Sequence, residues 1–170
     1  MEKQPKSALK ARDNNIFIFY YIRVPQSLAN VLAHLIFSTK NRYPYLADKA
    51  LRHRTHAYLA AVLKDLHSPA LIVGGVADHL HILCQLSRTS ALSGVIEHLK
   101  VSSSKWVKTQ GVGNFSWQRG YGAFSISQSQ VIDVIYYIEK QEEHHQRMTF
   151  QQEYRLFLKR YRLAFDERYV

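Results

Sequence analysis

The sequence predicts an α+β fold of the ferredoxin-like, RRM-like kind. This is a split βαβ sandwich in which a four-stranded antiparallel sheet carries helices on one face, followed by a C-terminal tyrosine-bearing helix. Three observations predict it. Short apolar runs of strand length alternate with longer stretches of three- and four-residue apolar spacing, in the order β-α-β-β-α-β and then α. Two of the short runs, PALIVGGV and HLHILCQL, are separated only by Ala77 and Asp78, which marks a hairpin. The helical stretches end on breakers, Ser68-Pro69 after the first and GVG after the second.

The elements follow in order. Residues 1–25 form an N-terminal extension: MEKQPKSALKARDNN is polar and charged and reads as flexible, and IFIFYYIRVP suits an edge strand or a segment lying on the core. NVLAHLIFST is the first strand. From Asp48 to about His67, Leu51, Leu59, Val62, Leu63 and Leu66 recur at helical spacing. Gly74-Gly75 signals a bulge or the close approach of another backbone. Leu92 to about Thr109 is the second helix, and NFSWQRGYGAFSI is the fourth strand region, with glycines at a turn or bulge. Ser127 caps a third helix that runs to about Arg147 on a stripe of Val131, Val134, Ile135 and Ile138. TFQQEYRLFLKRYRL is a last amphipathic piece. The chain therefore divides into the extension, a central domain over 26–148 and a C-terminal helical tail over 149–170.

With 170 residues, 46% of them hydrophobic, the chain is long enough for one domain with a real core. The formal charge of +10 favours a polyanionic partner, and nucleic acid is the commonest. The single cysteine, Cys84, excludes an internal disulfide and suits a reducing cytoplasm. The apolar run Ile16 to Ile22 is far shorter than the roughly 20 residues a bilayer requires. No small-residue cleavage site follows it, so neither a membrane span nor a signal peptide is expected.

Three groups of residues carry chemistry. In a strand, His79 and His81 project to one face, while Leu80, Ile82, Cys84 and Leu86 line the other. The uniformly apolar face packs on the helices, so the histidines are expected on the open face. There they make either the start of a metal site or a hydrogen-bonded surface pair. Tyr137 and Gln141, four residues apart, share one helix face. A tyrosine hydroxyl is a weak nucleophile that needs a base or an activated electrophile, and the plainer reading of the IYYI run is packing. Lys40, Arg42, Lys100, Lys105 and Arg119 lie on segments that also carry Trp106, Trp117, Tyr121 and Phe124. Cations can track phosphates while rings stack on bases, or else the charges are a solvated face over an aromatic core. Trp106 and Phe124 fit the core better. His144-His145 suit a helix C-terminus, and His34, His53, His56, His67 and His98 fall in no pattern.

Taken together, STKNR, DHLHIL, LSGVIEHLKVSSSKW, YGAFSIS and YIEKQEEHH stand in an order that resembles the HUH-type single-tyrosine transposases of small bacterial insertion sequences and their REP-associated relatives. The resemblance runs from about Ser27 to Arg147, leaving both ends of the chain outside it. It implies that His79, His81 and Gln141 hold one Mg²⁺ or Mn²⁺ and that Tyr137 attacks a DNA phosphate. The strand would be rejoined through a 5′-phosphotyrosine. It also implies a single-stranded DNA substrate with hairpin ends, and a homodimer whose active sites can be shared between chains. An alternative from another class is a non-catalytic ferredoxin-like module that binds single-stranded nucleic acid. Such modules expose aromatics on the central strands, where this sequence has histidines. The adjacent Tyr136 and Tyr137 are wrongly spaced for the paired tyrosines of larger HUH enzymes.

Overall fold

The computed structural model describes residues 28–167, so the expected N-terminal extension lies outside the described residues. Four strands, β1 (Val31–Ser38), β2 (Ala70–Gly75), β3 (His79–Leu86) and β4 (Gly122–Ile126), form one sheet in the order β2-β3-β1-β4. All three pairings are antiparallel. Helices α1 (Lys49–Asp65) and α2 (Leu92–Thr109) connect β1 to β2 and β3 to β4, which completes the split βαβ pattern. The fourth strand is shorter than expected. The stretch before it is a loop joined to the sheet by an isolated bridge between Thr39 and Trp117.

Strand alternation sorts the side chains. Ala33, Leu35 and Phe37 of β1 join Leu80, Ile82 and Cys84 of β3 in the main core, under Leu59, Leu63, Ile96 and Leu99 of α1 and α2. Trp117 closes this core edge-to-face on Phe37 and on Phe115, and Trp106 stacks on Tyr58, so these rings serve packing. Asp48 caps α1 by accepting from Ala50 N at 2.8 Å, as its position before the apolar stripe suggests.

The other sheet face is covered. Three helices follow β4: α3 (Val131–Glu139), α4 (Gln141–His144) and α5 (Phe150–Arg160). The expected single helix from Ser127 to about Arg147 is therefore broken at Lys140 (φ −92°, ψ 16°). Two anchors set the break. Ile138 is buried against the sheet, while Glu142 in α4 pairs with Arg52 and with Lys49 (2.9 Å) on α1. The Arg52 side chain is buried and also donates to Leu46 O at 3.2 Å. Glu142→Ala should cost on the order of 1 kcal/mol, because water reaches Glu142 and screens the pair. A Tm about 2–4 °C lower in a calorimetric melt would show it, and an unchanged Tm would mean that α4 is held otherwise.

Gly74 is where α3 touches β2. A Cβ there would lie 2.6 Å from Ile138 Cγ2 and 2.8 Å from Ile138 O, so the close backbone approach read from Gly74-Gly75 is realised. On the same face α5 and its C-cap lay Phe157 and Tyr161 over Phe124, and Leu158 joins Ile36 and Phe124 in a separate cluster. A Thr149–Gln152 capping box starts α5. No helix among the described residues is long and apolar enough to cross a membrane.

Candidate metal centre and tyrosine

The covering of the second face corrects one expectation. His79 and His81 do share a face, but they are buried beneath α3, α4 and α5 rather than standing on an open surface. Each ring is held from behind. His79 Nδ1 lies 2.8 Å from Asp78 Oδ1, and His81 Nδ1 lies 3.0 Å from Nε2 of buried His34. The Nε2 atoms turn towards α4 and α5. There His79 Nε2 meets His145 Nε2 at 2.8 Å, and His81 Nε2 lies 3.5 Å from Glu153 Oε2.

Glu153 is the centre of the arrangement. It projects from the buried face of α5 and is almost wholly enclosed. Its Oε1 accepts from the Tyr137 hydroxyl and from Gln141 Nε2 at 3.2 Å. Gln141 Oε1 lies 3.0 Å from His145 Nε2. The donor atoms of His79, His81, His145 and Glu153 all lie within 4.8 Å of one another, a group able to hold a metal ion. Two of these atoms, His81 Nε2 and Glu153 Oε2, are buried without a hydrogen-bond partner. Orphaned buried polar atoms are costly, and a bound cation would satisfy both.

Thus the structure brings Tyr137, His79, His81 and Gln141 together within one chain. Tyr137 packs edge-on against His34, His81, His144 and Phe157. A cleft of about 380 Å³ between α3 and α5, lined by His34, Val134, His144 and Phe157, opens beside it.

The five expected DNA-contacting cations lie elsewhere. Lys40 and Arg42 are exposed on a turn after β1. Lys100, Lys105 and Arg119 line a groove of about 630 Å³ with Trp117 and Tyr121. The Lys100 ammonium donates to Gln118 O (2.7 Å), Arg119 O (3.2 Å) and Gly120 O (2.7 Å), holding that loop, and burial lowers its pKa to about 8. A second cleft, sharing Gln118 and Tyr121 with the groove, continues past Arg42 to Phe150 and Tyr154 of α5.

With this geometry in place, the comparisons are decisive for family. Residues 27–141 match the family described as "Transposase IS200 like". The chain belongs to that family. A crystal structure assigned as a transposase of Deinococcus radiodurans R1 is similar, with a TM-score of 0.55 and 18% identity over 70% of this chain and 96% of that one. That likeness is one of fold. A REP-associated tyrosine transposase bound to a REP hairpin aligns with a TM-score of 0.49 and 13% identity over 72% of each chain. No curated protein matches.

The electrostatics of this IS200-like transposase suit a cation. Burial, then the charge of His79, lowers the pKa of His145 to about 4; burial also holds His34 and His81 well below the ordinary value. These rings are neutral near pH 7, so their lone pairs need lose no proton to bind metal. Burial pushes the Glu153 carboxyl up to about 7, against the opposing pull of His79. His34, His145 and Glu153 escaped the sequence reading. The clearest missed signal is Glu153, a charge in the middle of the apolar stripe Phe150, Tyr154, Phe157, Leu158. The match of this transposase to its family ends at Gln141, before both His145 and Glu153.

Proposed function

We infer that this transposase cleaves and rejoins single-stranded DNA through a covalent 5′-phosphotyrosine on Tyr137. The observation that carries the reading is the junction at Glu153, where the Tyr137 hydroxyl meets the same buried cluster that contains His79 and His81. A tyrosine kept only for packing would not need its hydroxyl aimed into a nest of imidazoles and a carboxylate.

His79 and His81, with Gln141 as the third donor implied by the family resemblance, would hold Mg²⁺ or Mn²⁺. Such an ion, when bound, supplies charge stabilisation to a scissile phosphate. The protein's own groups do the rest. Glu153 accepts the Tyr137 hydroxyl hydrogen bond and gives its proton a destination. The phenolic oxygen bonds to phosphorus, the P–O3′ bond breaks, and the 3′-oxygen leaves and takes up a proton. Because the phosphotyrosine conserves the ester bond, a second 3′-OH can reverse the step and join a new strand without ATP. Exchange of two ends requires two such intermediates, so the working form is a homodimer. Lys40, Arg42, Lys105 and Arg119 are exposed on surfaces where a DNA hairpin would bring its phosphates, and Lys100 shapes the loop between them. The reading places the protein in the cytoplasm, with the DNA.

The test is a labelled single strand spanning the DNA that flanks the gene, incubated with protein and Mn²⁺ or Mg²⁺ and then denatured. A covalent protein–DNA adduct that disappears with chelator is expected. Strand binding without adduct under either metal would leave the non-catalytic binding module as the better account.

A further inference from the structure

The geometry points to a metal site larger than the one the family resemblance implies: His145 and Glu153 are ligands beside His79 and His81, with Glu153 bridging the ion and the nucleophile's hydroxyl. This rests on the reading that the histidine pair holds a metal.

Four observations carry it. The first is the set of proton positions. Asp78 Oδ1 and Met148 O can only accept, so the Nδ1 atoms facing them, in His79 and in His145 (2.8 Å each), must carry hydrogen. Both rings therefore turn their second nitrogens, the Nε2 atoms, towards each other at 2.8 Å. With Nδ1 protonated in both rings, what holds the two Nε2 atoms at that distance is a shared cation, either a proton or a metal ion. The carboxylate behind His79 and the backbone carbonyl behind His145 are also the usual outer partners of metal-ligating imidazoles. His145 therefore has the full signature of a ligand, although it lies beyond the matched segment.

The second observation is the free oxygen of Glu153. Its Oε1 is used by Tyr137 and Gln141, while Oε2 is buried and unpartnered, 3.5 Å from both His81 Nε2 and His145 Nε2 and 4.0 Å from His79 Nε2. A carboxylate buried among three imidazole nitrogens with one oxygen idle is poised to coordinate. The third is the spacing of the donors. Two ligands about 2.1 Å from one ion lie roughly 3.0–3.4 Å apart. The separations here start at 2.8 Å for His79–His145, include 3.5 Å from Glu153 Oε2 to His81 and to His145, and stay within 4.8 Å across the group, with Gln141 Oε1 at 3.0 Å from His145 Nε2. Gln141 thus stays compatible with its implied role.

The fourth is donor chemistry. Three imidazoles with one carboxylate favour a divalent transition ion over Mg²⁺, which prefers an all-oxygen shell. The C-cap of α4 and helix α5 together supply half of the four-donor group.

The experiment is calorimetric titration of the full chain with Mn²⁺ and separately with Mg²⁺, on wild type, His79→Ala, His145→Ala and Glu153→Gln. Co²⁺ absorption spectra would report the ligand field directly. Thermal melts of the metal-free variants establish that each is folded, and Glu153→Gln keeps the shape of the side chain. The expected result is one Mn²⁺ bound by wild type, with Mg²⁺ at least tenfold weaker. Glu153→Gln and His145→Ala should each lose tenfold or more in Mn²⁺ affinity and alter the Co²⁺ spectrum. If both folded variants bind Mn²⁺ like wild type while His79→Ala does not, the enlarged site is wrong and the histidine-pair site stands. If wild type binds neither ion, the metal reading itself falls.

Discussion

Tyr137→Phe will abolish the covalent adduct with single-stranded DNA, lowering its rate of formation by roughly 10⁴-fold or more, as expected when a nucleophile is deleted. The substitution removes one oxygen and little else. The ring keeps its edge-on contacts with His34, His81, His144 and Phe157, so the variant should fold and still bind the strand. Tyr136→Phe is the matched control. Tyr136 is 63% exposed and lies about 100° further back around the helix, away from the cluster. Its loss should change adduct formation by no more than about twofold, since surface substitutions away from a site are usually mild. A denaturing gel of the labelled strand reads both. An adduct that survives Tyr137→Phe would move the nucleophile elsewhere.

Gly74→Val should separate assembly of the site from recognition of DNA. The new Cβ would meet Ile138 Cγ2 at 2.6 Å and Ile138 O at 2.8 Å, and the second atom is backbone that cannot rotate aside. Helix α3 must therefore shift off the sheet, carrying Tyr137, the neighbour of Ile138. Overpacking of this kind costs about 1–3 kcal/mol, and a displacement near 1 Å in a catalytic group costs about 10²-fold in rate. The groove beside α2, proposed above to meet the DNA, does not touch Gly74, so hairpin affinity, measured by fluorescence anisotropy, should stay at the wild-type value. Gly94→Ala in α2 is the contrast: nothing lies within 4 Å of its added Cβ, and alanine should stabilise the helix by up to about 1 kcal/mol. A wild-type adduct rate in Gly74→Val would mean that α3 is seated by other contacts.

How much of this was legible beforehand depended on periodicity. The strand order and hairpin follow from alternation and punctuation. The shared face of His79 and His81 follows from the two-residue repeat of a strand. The roof over that face was not legible, because it depends on where α5 docks. The amphipathic pattern of TFQQEYRLFLKRYRL shows that it must cover something, but not what. Glu153 shares its stripe with half-buried Phe150, Tyr154 and Phe157 and buried Leu158, and a carboxylate there becomes informative only once the stripe is seen to dock on the sheet. His34 lies opposite Leu83 in the register with β3, and only the diagonal across two strands brings it to His81. The break at Lys140 has no glycine or proline to announce it; it answers to tertiary anchors at Ile138 and Glu142.

The seat of α3 on Gly74 has one more consequence. Strand β2 is the outer strand of the sheet, hydrogen-bonded along one edge, whereas β3, which carries the two histidines, is bonded along both. Local opening of β2 breaks one ladder, and exposing β3 breaks two. Amide protons in β2 should accordingly exchange with solvent sooner than those in β3. Tyr137, on the helix seated against β2, and the imidazoles of β3 thus hang from layers of unequal durability. Fraying at the sheet margin removes one support of the tyrosine helix while the histidine strand stays intact, so the two halves of the cluster differ in local stability.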